Sequence, residues 1–322
     1  MSDIPVVDLS GAGAAAELGR ALERIGFAYL VGHGVPAALT EAAFAASRAF
    51  HASPLDRKRS LAINAAHRGY MGMATSTIVT STVARVTQPN LSESLMIMHE
   101  VAADDPRLGE PLHGPNQYPE WLPGFRAPVD AYSAAVEAVA RRVIRLIAVA
   151  LDLPAEALDR YFARPTTFLR LLHYPPHPAE APEDQFGSAP HTDDVFVTLL
   201  AQDDSGGLEV RPRGGEWIAA PPLPGSLVLN VADMLARWTN DRFVSTPHRV
   251  VNTSGGDRYS LPFFFDTDME AVIECLPTCA GPGNPPRYEP VRYGDYLMDR
   301  LDRNYSYRKL APSPRGAGRG LG

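Results

Sequence analysis

His191-Thr192-Asp193, followed by Val195-Phe196-Val197-Thr198-Leu199-Leu200, places an imidazole and a carboxylate two residues apart at the head of a β-like run. Residues two apart on a strand point to the same face. One ion can therefore be shared by His191 and Asp193 while Thr192 faces away. Of the nine histidines, His191 alone has an acidic residue two positions later. A His-x-Asp pair by itself is more often a surface or hydrogen-bonded pair than a metal site, so further ligands are needed. His248, 55 positions beyond Asp193, opens another β-like run, His248-Arg249-Val250-Val251. Two imidazoles and one carboxylate on one side of an ion leave positions open, the arrangement associated with non-haem Fe(II) oxygenases.

Ten positions after His248 comes Arg258-Tyr259-Ser260, again with same-face spacing. Arginine offers a planar fork to a carboxylate and serine adds a hydroxyl. A dicarboxylate bound to the metal at one end can be held at the other by this pair.

Around these motifs the second half of the chain reads as short strands punctuated by Pro and Gly: 167–174, 195–201, 207–211, 226–231, 248–252 and 259–266. Gly206-Gly207 and Gly214-Gly215 mark turns. Such spacing indicates a sandwich or jelly roll. The proline-rich segment 175–190 reads as a loop leading to the first ligand strand. Upstream, the chain reads as helical with one strand: helices over 12–24 and 36–50, and a strand over Phe27–Val31. The strongest helix lies between Pro128 and Leu151, where Val129, Tyr132, Val136, Val139, Val143, Ile147 and Ala150 form one apolar stripe. Further helices are expected at 232–238 and 292–303, and the Gly-, Pro- and Arg-rich tail from Pro312 as disordered.

The 322 residues carry a net charge of −7, which argues against general affinity for nucleic acid or anionic membranes. Two cysteines, Cys275 and Cys279, exclude a disulfide framework and carry no second ligand pair for zinc. No apolar run reaches the ~18 residues of a membrane span, and no signal peptide is visible, so a cytoplasmic location is expected.

The chain resembles the isopenicillin N synthase-like branch of the 2-oxoglutarate/Fe(II)-dependent dioxygenases. The resemblance runs from about Ile4 to Arg303. It is carried by Ile4-Pro5-Val6-Val7-Asp8-Leu9, Gly26-Phe27-Ala28-Tyr29-Leu30-Val31-Gly32-His33-Gly34-Val35, Arg68-Gly69-Tyr70, Glu93-Ser94, His191-Thr192-Asp193, Asn230-Val231-Ala232-Asp233, Thr239-Asn240, His248-Arg249-Val250 and Arg258-Tyr259-Ser260-Leu261-Pro262-Phe263-Phe264. It implies a mainly β double-stranded β-helix, or jelly roll, with surrounding α-helices. Within one structural unit it implies an N-terminal region (1–115), long support helices (116–165), a core for Fe(II) and 2-oxoglutarate (166–270), and a C-terminal helix and tail (271–322).

The resemblance further implies Fe(2+) held by His191, Asp193 and His248, and 2-oxoglutarate held by Arg258, Ser260 and Tyr174. O2 would be the oxidant and ascorbate a candidate reductant. A small organic substrate would be hydroxylated, desaturated or cyclised with release of succinate and CO2. The chain departs from many relatives at Leu172, where an asparagine contacts the co-substrate, and at Ala232, where glycine is usual. Leu172 keeps open an isopenicillin N synthase-type oxidase that does not use 2-oxoglutarate. A non-catalytic binding protein and a zinc hydrolase are the more distant readings. His33, in its glycine-flanked turn, reads as scaffold, and Trp217 and Trp238 as core. For the substrate pocket the candidates are Met71, Met73, Arg85 and Phe264, with Met96, Met98 and the segment 294–307 also considered. A partly apolar small molecule with an anionic group near Arg85 is expected, bound by a monomer or weak homo-oligomer.

Overall fold

The computed structural model describes residues 4–79 and 81–309. In chain order the strands are β1 (Val6–Asp8), β2 (Phe27–Val31), β3 (Gly69–Met71), β4 (Glu93–Met98), β5 (Thr166–Tyr174), β6 (Ser188–His191), β7 (Val197–Gln202), β8 (Leu208–Val210), β9 (Ile218–Ala219), β10 (Leu227–Val231), β11 (His248–Val250) and β12 (Arg258–Asp266). A large sheet runs β1-β2-β10-β7-β12-β5-β4-β3, and a small one β6-β11-β8-β9. All pairings in both are antiparallel except β1 with β2. A separate two-strand pair, β13 (Val272–Ile273) and β14 (Val291–Arg292), lies outside them.

Alternation along the strands of the large sheet separates two cores, as the two-residue period requires. One set of side chains, Phe27, Tyr29, Leu172, Tyr174 and Val228, meets Leu208, Val210 and Val250 of the small sheet. The opposite set, including Ala28, Leu30, Leu169, Leu171, Leu199, Leu229, Phe263 and Phe265, joins the helical core. That core is built by α1 (Ala14–Arg24), α2 (Ala37–His51) and α4 (Arg126–Ala150), which pack together; α3 (Leu55–Ser60) is a short turn of helix between α2 and β3. The stripe read from the sequence of α4 is buried from Val129 to Ile147, with Ala150 only partly so. Each fully buried large apolar side chain contributes roughly 1.5–3 kcal/mol relative to exposure, which is why this helix is fixed against the sheet. The remaining helices of note are α5 (Asp233–Trp238) and α6 (Tyr293–Asn304).

Just past the end of α1 stands Gly26, whose φ is +67° and whose missing Cβ would lie 1.9 Å from the carbonyl oxygen of Val244. Only glycine permits that turn from helix into β2.

The mainly β core with packed helices agrees with the sequence reading. The N-terminal reading needs correction. Residues 6–98 supply four strands rather than one, and β3 and β4 extend the large sheet beyond β5. Those strands are three to six residues long, and β4 is buried along its entire length, so it shows no alternation to detect. The support region contains one long helix and a 3-10 turn. The loop 175–190 gives way to β6 at Ser188. Trp238 is buried as expected, whereas Trp217 is only partly buried, beneath the guanidinium groups of Arg211 and Arg249. The tail from Pro312 lies outside the described residues.

Candidate metal centre

The end of β6 carries His191, and the chain turns there so that Asp193 comes back beside it. β11 pairs with β6 so that His248 stands directly opposite His191. The imidazole centroids are 4.3 Å apart. Oδ1 of Asp193 lies 3.5 Å from Nε2 of His191 and 3.7 Å from Nε2 of His248. Three donor atoms from two strands and a turn thus converge on one point.

The far side of each group is engaged. Nδ1 of His191 is 2.7 Å from the Ala189 carbonyl, and Nδ1 of His248 is 3.4 Å from that of Thr246. Such contacts fix ring orientation and leave Nε2 for an ion. Oδ2 of Asp193 accepts hydrogen bonds from Thr198 Oγ1 at 2.6 Å and Asn230 Nδ2 at 2.8 Å, leaving Oδ1 directed to the histidines. Behind this, the backbone N–H of Asp233 donates to the Asp193 carbonyl, and the Asp233 carboxylate accepts from Thr192 and Ser245.

Charge follows the geometry. Burial opposes ionisation of Asp193, but His248 and His191 beside it hold its carboxyl below the usual range. Burial and the neighbouring His191 push His248 down to about 4, so its imidazole is neutral, whereas at His191 burial is outweighed by Asp193, which raises it and which a bound cation would oppose. A neutral imidazole and an ionised carboxylate are the forms that bind a metal.

A second cavity wall is formed by β5 and β12, where Arg258 pairs with Tyr174 and Ser260 with Leu172. Arg258 is 1% exposed. Its Nε donates to the Gly206 carbonyl at 2.6 Å, and its guanidinium lies 4.8 Å above the Tyr174 ring. Nη1 and Nη2 are buried without a hydrogen-bond partner among the described residues. A cavity of about 80 Å3 is lined by Arg258, Ser260, Tyr174 and Leu172 together with His191, Asp193 and His248. The orphaned guanidinium donors at one end and the three metal-capable groups at the other fit a dicarboxylate that spans them.

An adjoining cavity of about 140 Å3 shares His191, Asp193, Arg170 and Phe264, and extends to Met96, Phe168, Arg300, Asn304 and Tyr305. Phe264 is where same-face spacing from Ser260 placed it, and the segment 294–307 contributes α6. Met71, Met73 and Arg85 are not brought there. Met71 is buried in β3, two strands away from β5; Met73 is exposed; Arg85 is exposed beside a separate groove lined by Glu183, Arg211 and Trp217. Residues 76–78 of that region reach the cavity instead, where Ser76 bridges to Tyr305. Arg170 was not anticipated, although it stands four residues before Tyr174, on the same face of β5. His33 binds the Gly225 carbonyl and the Val35 N–H and belongs to the scaffold.

Among the described residues one other trio could hold a metal: His51, Glu93 and His173. There the Lys58 ammonium lies 2.9 and 2.8 Å from the two Glu93 oxygens, and Tyr70 also donates to Glu93. An ammonium already occupies the place of a cation.

Comparison with known proteins agrees with this construction. Residues 165–267 match the 2OG-Fe(II) oxygenase superfamily, and residues 4–121 match the N-terminal region described as non-haem dioxygenase in morphine synthesis. The 2-oxoglutarate-Fe(II) type oxidoreductase hxnY of Emericella nidulans is 34% identical, over 87% of this chain and 81% of the relative. Kihadalactone A synthase LFS of Citrus sinensis is 34% identical over 93% of each. A full-length Neurospora crassa protein, solved in complex with alpha-KG and thymine, superposes with a TM-score of 0.82 at 29% identity, covering 93% of this chain and 96% of its own.

Proposed function

Because the chain belongs to the 2OG-Fe(II) oxygenase superfamily, we propose that His191, Asp193 and His248 hold its Fe(II) and that Arg258, Ser260 and Tyr174 hold its 2-oxoglutarate. The protein is a 2-oxoglutarate- and Fe(II)-dependent dioxygenase that oxidises a small organic molecule. When bound, the iron and co-substrate supply the oxidising power, with succinate and CO2 as by-products. The observation that carries the site assignment is the pair of buried guanidinium nitrogens of Arg258, without partners among the described residues and in one cavity with the His-Asp-His cluster.

The protein's own contribution is placement. Arg258 takes the distal carboxylate in a fixed fork, and the ring of Tyr174 backs that guanidinium. Asn230 and Thr198 hold Asp193 so that one oxygen remains for the metal. The apolar side chains of Phe168, Phe264 and Leu297 around the adjoining cavity exclude water from the reacting carbon. We place the chain in the isopenicillin N synthase-like branch because its N-terminal match accompanies the catalytic one. No helix among the described residues is long and apolar enough to cross a membrane. A cytoplasmic, monomeric or weakly self-associating enzyme without nucleic-acid contact accords with the free thiols of Cys275 and Cys279 and the net negative charge.

The test is anaerobic titration. Fe(II) should bind at one site per chain, and subsequent 2-oxoglutarate should produce a weak visible charge-transfer band. His191→Ala, Asp193→Ala and His248→Ala should each abolish the band and turnover with the fold retained. Wild-type Fe(II) affinity in Asp193→Ala would sink the assignment.

A further inference from the structure

The inner face of β5 presents Phe168, Arg170, Leu172 and Tyr174 at two-residue spacing. Tyr174 backs the co-substrate arginine and Phe168 meets Phe264 edge-on at 6.4 Å. Between them stands a cation. Arg170 borders both cavities, the one reaching Arg258 and the one opening past Phe264 toward α6. Its Nη2 donates to Ser94 Oγ at 3.1 Å, and its Nε is buried without a partner among the described residues.

The contrast with its neighbour is informative. Arg300, also on this cavity, already has a partner, the Asp194 carboxyl group 3.3 Å away. Arg170 has no carboxylate within ion-pair distance among the described residues. Arg170 is partly buried, and its enclosed Nε is a donor that no acceptor among the described residues meets, which leaves the guanidinium open to a ligand. The anion that completes Arg170 is therefore expected from a ligand. The co-substrate does not supply it if its distal carboxylate is engaged by Arg258 and its other end by the metal.

We propose that Arg170 is a specificity-determining residue that binds a carboxylate of the substrate, so that the enzyme acts on small organic acids whose apolar part lies against Phe264 and Phe168. This deepens the reading above and rests on it for the position of the iron. The cavity of about 140 Å3 is small beside the ~300–1,000 Å3 of common ligand sites, which favours a compact acid. A planar guanidinium suits a carboxylate in two-point contact, whereas a neutral amide leaves the charge unanswered.

The experiment uses the Fe(II)- and 2-oxoglutarate-loaded protein under anaerobic conditions. Hexanoate, benzoate and phenylacetate are titrated calorimetrically, each against its own primary amide. At least one acid should bind roughly 10–100-fold tighter than its amide, the worth of a charge-assisted contact. In Arg170→Gln that preference should vanish, with Fe(II) and 2-oxoglutarate affinities unchanged. Arg170→Lys, which keeps the charge but not the fork, should retain part of it. Equal binding of acids and amides by the wild type, including no binding of either, overturns the proposal. So does a preference that survives in Arg170→Gln, or a loss of 2-oxoglutarate binding in that variant, which would move Arg170 into the co-substrate site. The charge-transfer band followed in the same samples reports on the metal and co-substrate assignment separately, and the acid–amide comparison is read whether or not it appears.

Discussion

The side-chain amide of Asn230 donates to Oδ2 of Asp193 at 2.8 Å, and Asn230 reaches that point from β10, a strand of the other sheet from the one carrying His191 and His248. The orientation of the carboxylate is thus set by a residue outside the trio proposed to hold the metal, leaving Oδ1 directed to His191 and His248.

Asn230→Ala should leave the fold intact and weaken Fe(II). Loss of a partner that orients a metal ligand typically costs about 10–100-fold in metal affinity. Anaerobic Fe(II) titration of the variant checks this. An affinity equal to wild type would mean that Thr198 alone suffices to hold Asp193.

Arg258→Lys should raise the Kd for 2-oxoglutarate by roughly 10–150-fold, since one charge-assisted bond of ~1.5–3 kcal/mol is lost. Lysine presents a point charge where the guanidinium presents two parallel donors. The amplitude and midpoint of the charge-transfer band against 2-oxoglutarate concentration give the answer. An unchanged midpoint would show that Nη1 and Nη2 of Arg258 face something other than the co-substrate.

What the sequence made legible follows from locality. His191 and Asp193 are two residues apart, Arg258, Ser260 and Phe264 share one strand face, and α4 carries a stripe long enough to establish a period. His248 was legible through its β-like run, and the structure sets it opposite His191. Residues whose role depends on pairing across the sheets were hidden. Asn230 was visible only as part of a motif, without its bond to Asp193. Arg170 lies in Leu169-Arg170-Leu171, where a lone charge between apolar neighbours looks like a solvated edge. Met71 lies away from the cavity because β3 is the outer strand of the large sheet, Met73 because it is exposed beyond the end of β3, and Arg85 because its loop faces a separate surface groove.

A second polar centre, around Glu93, contributes to the pH dependence of stability. Burial opposes its ionisation, but His173, His51, Lys58 and Tyr70 surround the carboxylate and hold it far below its ordinary 4.5. Its contribution to stability is therefore fully present above pH 4.5 and is lost as the pH falls below that value. His173 behaves in the opposite sense. Burial lowers it, yet Glu93 and Asp257 outweigh this and hold it above 6.5, so its share is present below pH 6.5 and declines as the pH rises past it. Glu93→Gln leaves the Lys58 ammonium buried without its counter-charge, which costs about 3–5 kcal/mol. Urea midpoints measured from pH 3 to 9 should show the wild type losing stability on both flanks and the variant lower but flatter. Parallel curves would assign the pH dependence to other groups.

Leu172 is the sharpest test of how the co-substrate sits. It is 7% exposed, stands opposite Ser260 on β12 and Ser94 on β4, and lines the cavity that holds Arg258 and the metal-capable trio. It also packs in the inner core with Phe27, Tyr174 and Val250. Leu172→Asn therefore has two separable effects. The amide adds one donor to the cavity, which should tighten 2-oxoglutarate by one net hydrogen bond of ~0.5–1.5 kcal/mol, about 2–13-fold. The same change removes apolar volume from the core and buries a polar group that lacks a partner until the co-substrate arrives, lowering the stability of the free protein by about 1–3 kcal/mol. Binding in the variant should consequently raise its thermal midpoint by more than it does in the wild type. Thermal unfolding with and without saturating 2-oxoglutarate, beside the anaerobic titration, reads both effects. A variant that is less stable yet binds 2-oxoglutarate no better places the co-substrate out of reach of residue 172, held by Arg258, Ser260 and Tyr174 without help from that position on β5.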